Sequence, residues 1–195
     1  MAIKVVLFDL GGVIIRLGDH IFPSSWLQGD AVFSLSEWLQ SDTPKAFETG
    51  LIDAKQFAQA LKSDLSLPQS VDEIIEEFAA WPKELFPGAG DLLLSLRQSY
   101  QVAALSNINE LHVPRMLKEF RLDEYFDNLF FSNELHLSKP DPDFYLKALE
   151  LLAVAPNEVV FFDDVEKNVS AARDLGINAH QVLGHSSVLS ILSKY

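Results

Sequence analysis

Residues 3–10 read Ile-Lys-Val-Val-Leu-Phe-Asp-Leu, and this stretch decides the architecture. Ile3–Phe8 (IKVVLF) is β-branched, aliphatic and aromatic, with Lys4 as its one polar residue. Such a run predicts a strand covered on both faces, as in a parallel sheet. Val102–Leu105 (VAAL) and Val159–Phe162 (VVFF) repeat the pattern, and Leu129–Phe131 and Ala179–Leu183 also read as strands. Amphipathic helical patterns fall between them, at Gly90–Gln98, Glu110–Phe120, Pro142–Leu152 and Glu166–Leu175. Gly176 stands where a left-handed C-terminal cap belongs. Strands alternating with helices predict an open, doubly wound, Rossmann-like α/β sheet.

One segment breaks the alternation. Arg16–Leu85 shows no convincing strand, only helical patterns, of which Ala54–Leu65 and Val71–Trp81 are the clearest. Pro82 and the Pro87–Gly88 pair mark the return to the sheet. The expected division is therefore an α/β core of residues 1–15 and 86–195 and a helical cap of residues 16–85. Two linkers join them, near Ile15–Gly18 and Lys83–Gly88. An insert directly after the first strand overhangs that strand's carboxyl end, where ligands bind in such sheets, so it is expected to act as a lid. Trp26, Phe33, Trp38, Phe47 and Trp81 are candidates to line its pocket, although aromatics at helical spacing also build cores.

Composition narrows the function. The 195 residues are 48% hydrophobic and 22% charged, enough for one ordinary domain or a domain with a small insert. A net charge of −13 argues against nucleic acid and anionic membrane surfaces, which demand clustered Lys and Arg. Without cysteine there are neither disulfides nor thiolate metal sites. Asp9 interrupts the apolar N-terminal run and no small-residue cleavage site follows, so neither a signal peptide nor a membrane span is expected. A cytoplasmic monomer or homodimer is the expectation.

Four polar groups fall at strand ends or just beyond: Asp9, Ser106, Lys139 and the pair Asp163–Asp164. Singly, each has an ordinary reading. Asp9 suits a turn or helix cap, Ser106–Asn107 a helix N-cap, and Lys139–Pro140 a solvated loop. The adjacent carboxylates after VVFF are harder to place, because they repel each other unless a cation compensates them. Strand ends converge in a doubly wound sheet, so Asp9, Asp163 and Asp164 are expected to share one crevice with Lys139. Three carboxylates against one ammonium leave about −2, and an all-oxygen ligand set points to a hard divalent ion, Mg²⁺ foremost.

These segments resemble the four motifs of the haloacid dehalogenase-like hydrolases: FDLGGVI (8–14), ALSN (104–107), SKPDPDFY (138–145) and FFDDVEKNVSAARDLGI (161–177). FPGAGDLLLSLRQSYQVAALSN (86–107) and, in the insert, FETGLIDAKQFAQAL (47–61) extend the likeness along nearly the whole chain. The resemblance implies a phosphatase for small phosphate esters. It makes Asp9 the nucleophile that forms an aspartyl-phosphate. Mg²⁺ would be held by Asp9, a Gly11 carbonyl and Asp164, with Asp163 in or beside the ligand set. Ser106 and the Asn107 backbone would bind phosphoryl oxygens, Lys139 would neutralise them and steady Asp9, and Asn168 would brace the Asp164 loop.

The sequence departs from that pattern at Gly11, where most phosphatases of the family carry a second Asp as general acid and base. Losing a positioned acid typically costs about 10²–10⁴ in rate. One reading is a phosphatase for good leaving groups such as sugar 1-phosphates; a branch with Asp-Leu-Gly in its first motif and SNxNxxH in its second is similar to this chain. A metal-independent haloacid dehalogenase is the alternative, and a non-catalytic phosphometabolite binder another. His20 and His112 are the candidate replacements for the missing acid.

Overall fold

The computed structural model describes residues 2–23, 25–26, 35 and 37–195. Its central sheet contains β1 (Val5–Phe8), β4 (Gln101–Ser106), β5 (Asn128–Phe131), β6 (Val159–Asp163) and β7 (Asn178–Gln181), while β2 (Ile15–Leu17) and β3 (Pro82–Leu85) lie outside it. All central pairings are parallel, in the order β5-β4-β1-β6-β7. The chain thus winds outward from β1 in both directions, as the doubly wound reading requires. In register, Phe8 stands between Ala104 and Phe162.

Period-two alternation divides the strand residues between two cores. Val6, Phe8, Val102, Ala104, Val160 and Phe162 face one layer, packed by α4 (Ala89–Leu96) and α8 (Val188–Leu192). Val5, Leu7, Ala103, Leu105, Val159 and Phe161 face the other, under α6 (Pro142–Leu152) and α7 (Glu166–Asp174). Every residue of β1 is buried because both faces are covered. Gly176 follows α7 at φ +86°, the left-handed conformation expected of it.

The insert builds its own apolar cluster from α1 (Asp42–Glu48), α2 (Ala54–Asp64) and α3 (Val71–Ala79). Capping boxes start α2 (Asp53 with Gln56) and α3 (Ser70 with Glu73), satisfying amides that the first helical turn leaves free. Phe57 stacks on Phe47 at 4.3 Å and lies 4.8 Å from Phe78, contacts worth about 0.5–1.5 kcal/mol each. Trp38 is core here too, its indole donating to Asp64, and Trp26 stacks on Phe22. Phe33 lies outside the described residues.

Several expectations need correction. The segment read as free of strands begins and ends in one: β2 and β3 pair antiparallel, with Ile15 opposite Leu85. What reads as two linkers is a hydrogen-bonded ribbon, supported by an exposed Arg16–Glu84 ion pair. Three- and four-residue strands carry too few side chains to show a period. The helix expected at Glu110–Phe120 is shortened to begin at Val113, and over Arg115–Glu119 it is wound wider, Phe120 N bonding Arg115 O at 3.0 Å. Asn109 Oδ1 accepts from the amides of Leu111 and His112 to form a turn, and Pro114 brings no amide of its own. A short helix α5 (Ser132–Leu135) and α8 were not foreseen. No described helix is long and apolar enough to cross a membrane.

Candidate active site

The strand ends of β1, β4 and β6 and the loop before α6 open into one cavity of about 250 Å³. Asp9, Gly11, Ser106, Asn107, Lys139, Asp164 and Asn168 all line it, together with Glu48 of the insert. Asp163 lies behind this wall with no exposed surface. One carboxylate oxygen from each of Asp9, Asp163 and Asp164 lies within 4.8 Å of the others.

Lys139 organises these charges. Its ammonium lies 2.8 Å from Asp9 Oδ1 and 2.7 Å from Asp163 Oδ2. Burial opposes its charge, but the two carboxylates outweigh burial and hold its pKa above the ordinary lysine value. Asp163 is saturated: Asn168 Nδ2 donates to both its oxygens at 3.1 Å, and the Val165 amide donates to Oδ1 at 2.8 Å. The Asn168 carbonyl in turn accepts from the Tyr145 hydroxyl. Asp163 therefore fixes Lys139 and the start of α7, and Asp164 is the member of the pair that faces the cavity.

Burial raises the Asp9 pKa above the ordinary carboxylate value, against the pull of Lys139. Asp164 is pushed up to about 6 by burial and by the negative Asp9 and Asp163. Burial leads both shifts, and at Asp164 the neighbouring carboxylates add a repulsion that a cation would relieve. Gly12 makes the fit close. At φ +71° its hydrogen faces Asp164, and a Cβ there would stand 2.4 Å from Asp164 Oδ2. Gly11 is different: a Cβ there would meet only the Leu17 side chain, at 3.3 Å, so its backbone does not demand glycine.

Asn107 works mainly through its side chain. Oδ1 accepts from the Lys139 amide at 2.8 Å and Nδ2 donates to the Lys139 carbonyl at 3.0 Å, clamping the lysine loop to the end of β4. Ser132, unpredicted, makes a parallel link. Its Oγ accepts from the Ile108 amide and donates to the Glu48 carbonyl at 2.6 Å, tying core to insert. It stands at the carboxyl end of β5, where the strand-end rule that found Asp9 and Ser106 also points.

Glu48 is the residue that sequence reasoning missed altogether. It ends α1 and brings its carboxylate into the cavity, where Asn107 Nδ2 approaches it at 3.4 Å. Burial pushes its pKa up to about 7; Lys139 and the Asn107 amide oppose the rise, and Asp9 adds to it.

Neither of the two candidate histidines presents a free ring nitrogen to the cavity. His20 is exposed and does not line the cavity. His112 lines it, but both ring nitrogens are engaged. Nε2–H donates to the Phe78 carbonyl at 2.8 Å, while Nδ1 accepts from Asn109 Nδ2 at 3.2 Å. Burial lowers its pKa to about 4, and the ring stacks on Phe78 at 4.9 Å. His112 is a neutral bolt between core and insert.

A model of the haloacid dehalogenase-like hydrolases matches residues 3–176. D-ribitol-5-phosphate phosphatase of Bacteroides thetaiotaomicron is 27% identical over 188 residues, 92% of this chain and 91% of that one. β-Phosphoglucomutase of Bacillus subtilis is 27% identical over 186 residues, covering 90% and 81%. Among solved structures, a HAD family enzyme of Bacteroides thetaiotaomicron in complex with magnesium and inorganic phosphate superposes with a TM-score of 0.78 at 28% identity, over 92% of this chain and 94% of that one.

Proposed function

The chain belongs to the haloacid dehalogenase-like hydrolases, and on that premise we propose that it is a Mg²⁺-dependent phosphatase of small phosphate monoesters of the sugar or polyol type. The observation that carries this reading is the clustering of Asp9, Asp163 and Asp164 within 4.8 Å of one another, with one buried ammonium pairing only the first two. A relative that acts on ribitol 5-phosphate and a similar fold holding magnesium and phosphate support it. Hydrolysis of a haloacid needs no divalent cation, and that chemistry leaves the excess negative charge beside Asp164 without a purpose.

Asp9 attacks phosphorus in line and forms an aspartyl-phosphate, which water then hydrolyses. Lys139 offsets charge on the phosphoryl oxygens and keeps the attacking carboxylate aimed. Ser106 Oγ and the Asn107 amide bind those oxygens from the end of β4. Asp9 and Asp164, with the Gly11 carbonyl, are the groups that would hold Mg²⁺; Asp163, its oxygens already occupied, stands behind them with Asn168. Bound there, the ion supplies charge neutralisation between nucleophile and phosphate. Residues 16–85 act as a cap over the site in a cytoplasmic enzyme, and their closure excludes water.

Phosphate release from a panel of sugar, polyol and aryl phosphates, with Mg²⁺ and then with excess chelator, tests this. Turnover should vanish on chelation. Asp164→Asn should weaken Mg²⁺ activation more than Asn168→Ala does. Undiminished phosphate release in chelator sinks the Mg²⁺ dependence, and release of halide from a 2-haloacid with no phosphate released from any ester sinks the phosphatase reading in favour of dehalogenase chemistry.

A further inference from the structure

In-line attack by Asp9 fixes where the leaving group must go. Asp9 follows β1 directly, and the cavity it lines is walled in part by Leu17, Glu48, Trp81 and Pro82 of the insert and its ribbon, so the apical position opposite Asp9 is assigned to that side. The proton that the leaving oxygen needs must come from that side. Among the described residues, five titratable side chains line the cavity: Asp9, Glu48, His112, Lys139 and Asp164. Asp9 is the nucleophile, Lys139 is held by two carboxylates, and Asp164 faces the metal position. His112 spends both nitrogens on Phe78 and Asn109. The insert and its ribbon also contribute Leu17, Trp81 and Pro82 to the lining, and the Trp81 indole N–H is committed to the Gly18 carbonyl. Glu48 remains.

Resting on the phosphatase reading, we propose that Glu48 is the general acid and base of this enzyme, delivered from the insert in place of the aspartate absent at position 11. The Glu48 carboxyl gives its proton to the leaving oxygen as the P–O bond to the alcohol breaks and the Asp9–phosphorus bond forms. The resulting carboxylate then takes a proton from water as the water oxygen bonds to phosphorus and the Asp9–phosphorus bond breaks. Phosphate leaves, Asp9 is free, and Glu48 is protonated again.

The surroundings of Glu48 suit that cycle. Its backbone is pinned by Ser132 Oγ at 2.6 Å, and the next carbonyl, of Thr49, accepts from His136 Nδ1 at 2.8 Å. These bonds fix the Glu48 backbone relative to the core. Asn107 Nδ2, which touches it, also bonds the Lys139 carbonyl, so the acid and the phosphate-binding lysine share one bracket. Among the groups facing it, Lys139 favours its ionised form and Asp9 its neutral form. The net rise to about 7 lets it give and take a proton near neutrality.

Glu48→Gln and Glu48→Asp, assayed with glycerol phosphate and 4-nitrophenyl phosphate in Mg²⁺, test the assignment. With the aryl ester, Glu48→Gln should still release about one equivalent of nitrophenolate rapidly, since that leaving group needs no proton; later turnovers should slow about 10²-fold. With the alkyl ester both phases should fall, and Glu48→Asp should recover part of the loss. Wild-type rates in Glu48→Gln, or a rise in KM at unchanged kcat for both esters, overturn the proposal, the second marking a group that only holds substrate. If Glu48→Gln does not fold, wild-type rates across esters of graded leaving-group pKa decide, a shallow dependence supporting Glu48 and a steep one overturning it. A wild type that releases phosphate from no ester overturns the phosphatase reading itself. That failure is distinct from a working wild type with an unaffected variant.

Discussion

Lys139 and Asp163 form a fully buried ion pair of 2.7 Å, and this pair, more than the nucleophile, holds the site together. The same ammonium reaches Asp9 at 2.8 Å, so the position of the attacking carboxylate is set by a residue on β6 that never meets the cavity. Such an arrangement is expensive to break from one side, because the surviving charge stays buried.

Asp163→Asn should lower stability, read from urea unfolding, but by less than the about 3–5 kcal/mol of a stranded buried charge, because Asp9 still pairs Lys139. It should also lower kcat by about 10² as Lys139 swings toward Asp9 and ties up the nucleophile. A variant with wild-type stability would show that Asp9 alone satisfies the Lys139 ammonium.

His112 gives a pH signature. Its pKa in the fold, about 4, lies below the ordinary value of 6.5, so the folded state favours the neutral ring. The stability this represents is complete above pH 6.5 and is lost as pH falls toward 4, up to about 3 kcal/mol in all. The protonated ring would turn an Nδ1–H toward the Asn109 amide, donor against donor. His112→Gln should be less stable than wild type at pH 7.5 but lose less between pH 6.5 and 4.5. Parallel pH curves for the two proteins would contradict the neutral-bolt assignment. Catalysis tests the same point, since His112→Gln should leave the dependence on leaving-group pKa unchanged.

The fold was legible because β1, β4 and β6 are buried on both faces and so appear as unbroken apolar runs. Asp9, Ser106, Lys139 and Asp164 were legible because the carboxyl ends of such strands converge. The division of labour within Asp163–Asp164 was not. Only the hydrogen bonds show that one carboxylate supports Lys139 while its neighbour faces the cavity. Glu48 escaped for a different reason. It is joined to the site through α1 of the insert, and helical periodicity there reports packing of Phe47 against Phe57, not which neighbour enters the cavity. Gly11 was read as a weak point in proton transfer; Glu48, which lines the same cavity, is the group we propose to compensate for it.

The central claim is that Asp9 becomes phosphorylated, and trapping that acyl phosphate tests it most directly. Borohydride added during steady-state turnover with Mg²⁺ and 4-nitrophenyl phosphate reduces an aspartyl-phosphate to homoserine, which peptide mapping by mass spectrometry detects. Homoserine should be found at position 9, and it should be absent without substrate, with chelator, or in Asp9→Asn, which should itself lose turnover about 10⁴-fold or more. Continued phosphate release with position 9 unmodified, or substantial turnover by Asp9→Asn, would mean that water attacks phosphorus directly and would contradict the account.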